Sequence, residues 1–79
     1  MLKLSEKEIR ILRFIRRSRH KTTAQEIAAG VALPKDEVEA FLQGMVSQKL
    51  INLAPGATPA EDAYYTNPEK REDIYGLVG

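Results

Sequence analysis

Thr23-Ala24-Gln25-Glu26-Ile27-Ala28-Ala29-Gly30-Val31-Ala32-Leu33-Pro34-Lys35-Asp36-Glu37-Val38 contains two helix starts and, between them, one helix stop. Thr23 and Glu26 have the spacing of a capping box, in which a hydroxyl and a carboxylate satisfy unpaired amides of the first turn. Ile27 and Ala28 are the inward residues of the helix that follows. Gly30 is placed to end it in the left-handed conformation, which glycine adopts without steric cost. Pro34 opens the next helix, because its missing N–H is not needed at the first helical position. The stretch therefore predicts a short helix over 23–30, a tight turn and a second helix over 34–48.

Upstream, Ser5-Glu6-Lys7-Glu8 is a further capping box, with Leu4 and Ile9 placed as a hydrophobic staple. It predicts a helix over 5–18, with Ile11, Leu12 and Ile15 on its inner side and Ile9 and Phe14 flanking them. Arg10, Arg13 and Arg17 share the opposite side. Downstream, Val38, Phe41, Leu42, Met45 and Val46 repeat at helical spacing, and Lys35, Glu39, Gln43 and Ser47 form the outer side. Beyond Lys49 the period changes. Leu50-Ile51-Asn52-Leu53-Ala54 and Ala63-Tyr64-Tyr65-Thr66 read as two strands of a hairpin over 50–66. Pro55 to Asp62, rich in turn residues, reads as an irregular tip. Asn67 caps and Pro68 opens a C-terminal helical segment over 67–76.

Composition narrows the function. The chain has 79 residues, no cysteine and one histidine, His20. One small domain is expected, without a disulfide, a thiolate metal site or a cysteine nucleophile. No Gly-rich phosphate loop, Ser/His/Asp set or paired-carboxylate site can be assembled, so an enzyme is not expected, nor a cofactor or metal. The adjacent acidic pairs Glu61-Asp62 and Glu72-Asp73 lack the clustered ligands of a metal site. The longest apolar run, Ala28 to Leu33, is far short of the roughly 20 residues of a membrane span, and the first residues do not read as a signal peptide. A cytoplasmic location is the expectation.

The formal net charge of +1 conceals a segregation. Residues 1–21 carry eight basic and two acidic side chains, a net of +6, and residues 22–79 carry four basic and nine acidic ones, a net of −5. Such asymmetry points to a polyanion or an acidic partner near the first helix, or to a solvated face with a Glu6–Arg10 helix pair. His20, in the basic loop, reads as a surface residue. Of Tyr64 and Tyr65, one should pack inward and the other lie exposed.

Helix, short helix, turn, helix and hairpin, with Ile11-Leu12-x-x-Ile15, Thr23-x-x-Glu26-Ile27-Ala28, Gly30, Leu33-Pro34-x-x-x-Val38 and Leu42-x-x-Met45-Val46-x-x-x-Leu50-Ile51, resemble the winged helix-turn-helix superfamily over residues 5–66. The resemblance implies a mainly α fold with a small β-hairpin: three helices, a two-stranded wing and a short C-terminal helix. It implies double-stranded DNA as the partner and transcriptional regulation as the role, with the third helix in the major groove. Lys35, Asp36, Glu39, Ala40, Gln43 and Ser47 would be the base-reading positions. Arg13, Arg16, Arg17, Arg19 and Lys21 would contact phosphates. A homodimer through Ile74, Tyr75, Leu77 and Val78 would suit paired half-sites, although those residues could instead close the core. Asp36 and Glu37 sit in a first turn, where the helix dipole favours them. Glu39 and the acidic tip are less suited to phosphate. They leave open a second expectation, a winged helix used for protein interaction without nucleic acid.

Overall fold

The computed structural model describes residues 4–78, so Lys3 of the basic segment lies outside it. Four α-helices and a small sheet follow one another as α1 (Glu6–Arg17), β1 (Thr22–Thr23), α2 (Ala24–Val31), α3 (Lys35–Ser47), β2 (Ile51–Ala54), β3 (Ala63–Thr66) and α4 (Arg71–Val78). Both capping boxes form. Ser5 accepts from the Glu8 amide while Glu8 accepts from the Ser5 amide, and Thr23 and Glu26 do the same for α2.

Ile11, Leu12 and Ile15 of α1, Ala24, Ile27 and Val31 of α2, and Val38, Leu42 and Met45 of α3 meet in one core with Leu50, Ile51, Ile74 and Val78. These are the faces that the 3.6-residue period marks out. Leu4, Ile9 and Phe14 pack against the rim of the core.

Four local expectations change. Gly30 does not end its helix. It lies inside α2, where the Phe14 ring rests on it so closely that a Cβ at that position would overlap the ring. The helix runs on to Val31, and Ala32 takes the left-handed conformation instead (φ 57°, ψ 47°), which lets the Leu33 amide reach back to the Ala28 carbonyl at 3.2 Å. Pro34 is the N-cap of α3 rather than its first residue, with extended ψ of 141°. The tip is not wholly irregular, because Pro59–Glu61 forms one 3-10 turn. The sheet has three strands, not two, in the order β1-β3-β2, all antiparallel. Thr22 pairs with Tyr64 and Thr23 with Ala63, so the loop after α1 is joined to the hairpin's outer edge before α2 begins.

The junction after the hairpin is built around Asn67. Its Nδ2 donates to the Lys49 carbonyl at 2.7 Å, its backbone N–H donates to the Leu50 carbonyl at 3.0 Å, and its Oδ1 accepts from the Glu69 amide. Lys49 has φ 62°, and the Leu50 amide returns to the Met45 carbonyl, which closes the end of α3 as a left-handed cap. After Asn67, residues Pro68–Lys70 form a 3-10 turn that runs into α4, so the C-terminal segment reaches Val78. Ile74 and Val78 are buried in the core, while Tyr75 is half exposed.

Candidate nucleic-acid interface

The outer face of α3 exists because the opposite face is committed to the core. Val38, Leu42 and Met45 have no accessible surface. Lys35, Asp36, Ala40, Gln43 and Ser47 are left in solvent and Glu39 is half-buried. All six positions named from the sequence thus lie on one helix, on the side turned away from α1 and α2.

The acids near this face are partly compensated. Lys7 reaches from α1 to Glu37 at 2.6 Å, and Lys35 stands 3.9 Å from Glu39 one turn on. Each is an exposed pair worth at most about 1 kcal/mol, but each lowers the local negative field. At the hairpin tip Asp62 accepts from the Gly56 amide at 2.9 Å and Glu61 from the Ala57 amide at 3.2 Å. Both carboxylates therefore brace their own loop. Tyr64 packs against the core from β3, and burial, followed by the charges of Asp62 and Glu39, raises its hydroxyl above the ordinary tyrosine pKa.

The cations of α1 are divided by what they touch. Arg10 does not pair with Glu6. Its Nη2 donates to the Val31 carbonyl at 2.6 Å, at the end of α2, where the helix dipole is negative. Arg13 donates through Nε to the Val78 carbonyl at 3.4 Å, at the end of α4. Arg10, Arg13 and Arg17 line one groove with Phe14, Gly30 and Val31. Arg16 is half-buried, with its guanidinium 5.1 Å from the centre of the Tyr75 ring. Arg19 is exposed, and the Lys21 ammonium lies 5.3 Å from the centre of the Tyr65 ring. His20 is exposed and stands 3.5 Å from Glu26. The Thr23 amide and then His20 hold the Glu26 carboxyl below the ordinary range.

Of the five phosphate candidates, then, the structure groups Arg13 and Arg17 in one groove and Arg16, Arg19 and Lys21 in another. No residue of α3 lines either one. Tyr75 was named from the sequence only as a contact between copies, and Arg71 and Asn67 were not named as functional positions. Only the packing of α4 on α1 brings the first two near Arg16, and no local spacing announces it.

No protein-family model and no curated protein matches the chain. Solved structures do. Staphylococcus aureus MarR in complex with salicylate and kanamycin superposes with a TM-score of 0.80 at 22% identity, over 95% of this chain and 49% of that one. RV1404 from Mycobacterium tuberculosis gives 0.78 at 16% identity, over 96% and 51%. The zinc-responsive MarR family member ZitR from Lactococcus lactis gives 0.72 at 18% identity, over 96% and 51%. The fold is that of a winged helix-turn-helix.

In winged-helix terms α2 and α3 are the helix-turn-helix and the β2–β3 hairpin is the wing. The chain spans about half the length of the structures it matches. At these identities the likeness is one of fold. Among the described residues, no helix of the winged helix is long and apolar enough to cross a membrane.

Proposed function

We propose that this winged helix binds double-stranded DNA, as the DNA-reading part of a cytoplasmic transcriptional regulator. One observation carries the reading: the second helix of the helix-turn-helix presents an unpacked polar face on which Glu37 and Glu39 are met by lysines, while the acids of the wing tip are held by its own amides. That face has the size and exposure of a helix that enters the major groove. One of the similar structures is described as a MarR family transcription regulator, which supports the same role.

In this reading Lys35, Gln43 and Ser47 approach base edges, and Glu39 accepts a hydrogen bond from cytosine. Arg17, Arg19 and Lys21, the exposed members of the cationic set, attract and contact phosphates. Arg13 and Arg16, which are engaged inside the fold, add mainly to the field. Ile74 and Val78 close the core and Leu77 packs against it, so of the four C-terminal residues only Tyr75 is left in solvent for a contact between copies on adjacent half-sites.

Electrophoretic mobility shift on mixed-sequence duplex at low salt tests the proposal. Retarded complexes are expected, with affinity falling steeply as salt rises. Lys35→Ala combined with Gln43→Ala should weaken binding, and Arg17→Ala combined with Arg19→Ala should flatten the salt dependence. No complex at low salt would leave the winged helix as a protein-interaction module.

A further inference from the structure

Two grooves meet on the side of the molecule that α3 does not reach. One lies between the end of α1, the loop 18–21 and β3, and the other between α1, the Asn67 junction and α4. Arg16 and Thr66 line both, so they form one continuous trough. Arg16, Arg19, Lys21 and Arg71 stand along it, and the acids Glu69, Glu72 and Asp73 enter only beyond Pro68 and Arg71, at its far end. Among the described residues, no carboxylate lies within ion-pair distance of Arg19 or Lys21.

Tyrosine rings alternate with these cations. Tyr75 carries the Arg16 guanidinium and Tyr65 the Lys21 ammonium, and Tyr75 is 51% exposed. Aromatic rings and guanidinium planes are the surfaces on which unpaired bases stack, while a flanking row of cations follows the phosphates. A base inside a duplex has no free face to offer such rings. An acidic peptide would pair with the cations but brings no planar base to stack on the rings.

We propose that this trough binds single-stranded nucleic acid, a few nucleotides long, at a site separate from the duplex-reading face of α3. Tyr65, Tyr75 and the Arg16 plane stack bases, and Arg19, Lys21 and Arg71 hold phosphates. Arg19 and Lys21 can serve either ligand, whereas the rings serve only the unpaired one.

The test is fluorescence anisotropy at low salt with a labelled oligothymidine of about ten nucleotides, beside a labelled duplex. The strand should bind. Tyr65→Val with Tyr75→Ala should lower its affinity at least about tenfold and leave duplex binding unchanged. Tyr65→Phe with Tyr75→Phe should retain it. Lys35→Ala with Gln43→Ala should spare strand binding, so failure of the duplex reading is separable from failure of this one. Four results would overturn the proposal: no strand binding, equal loss for strand and duplex in the ring variant, displacement by polyglutamate as effective as by unlabelled strand, or a changed sedimentation coefficient of free Tyr75→Ala. The last would make the ring a contact between copies.

Discussion

The first helix and the wing tip invite opposite readings in the sequence, one basic and one acidic, and the structure treats both alike. In α1, Arg10 and Arg13 turn their guanidinium groups onto the last carbonyls of α2 and α4. In the tip, Glu61 and Asp62 turn their carboxylates onto the amides of Ala57 and Gly56. Each region uses part of its charge to satisfy unpaired backbone groups, and so presents a weaker field than its residue count suggests. The difference lies in what remains. The end of α1 keeps Arg17, Arg19 and Lys21 in solvent, while the tip keeps no cation. A charge run therefore measures a partner surface only after the backbone's own demands are met.

The largest expected effect comes from the groove where α1 meets α2. Gly30→Ala would drive a Cβ into the Phe14 ring. Overpacking of this kind costs about 1–3 kcal/mol against the roughly 1 kcal/mol that alanine returns in a helix, a net loss of up to about 2 kcal/mol. Urea unfolding should show a net loss. If Gly30→Ala is stabilising, Phe14 can move aside and the α1 face is softer than described.

Arg10 and Arg17 split the basic face. Arg10→Ala loses a charge-assisted bond to a helix end and should cost about 1.5 kcal/mol by the same unfolding measurement. Arg17→Ala should stay within about 0.5 kcal/mol and act on duplex affinity instead. Equal effects on stability would erase the division between bracing and free cations.

On the acidic side, Asp62→Ala should cost about 1 kcal/mol, with faster hydrogen exchange at Gly56, because the tip amide loses its acceptor. Unchanged exchange there would mean that the tip holds without its carboxylate. Where the basic loop enters the sheet, Thr22 is buried and its hydroxyl has no hydrogen-bond partner among the described residues. Thr22→Val should raise stability by up to about 1 kcal/mol in thermal melts.

The smallest effect is a pH dependence at α2. Since the Thr23 amide, followed by His20, lowers the folded pKa of Glu26, the cap's contribution is complete above the ordinary glutamate range. It is lost as pH falls through that lowered value. Melting temperatures of Glu26→Gln should show a shallower decline on acidification than those of the parent chain. Matching slopes would place the acid sensitivity elsewhere.

What the sequence determined by itself were the features built within three or four residues of one another. Ser5 with Glu8 and Thr23 with Glu26 start helices because each box closes on its own first turn. The inward faces of α1 and α3 follow from helical period alone, and Asn67-Pro68 opens the last segment as expected. The winged-helix order was legible from these signals. The tertiary structure alone decided which backbone groups were left for distant side chains. Gly30 is a seat for Phe14 and not a helix stop, because the close approach of α1 leaves no room for a Cβ. Ala32 then has to supply the left-handed turn. Arg10 forgoes Glu6 for Val31, since a carbonyl at a helix end, fixed in place, is a better partner than an exposed side chain that must first be ordered. Tyr75 joins Arg16 only because α4 packs on α1. Local hydrogen bonds depend on spacing along the chain, and these four features depend on which surfaces folding brings into contact.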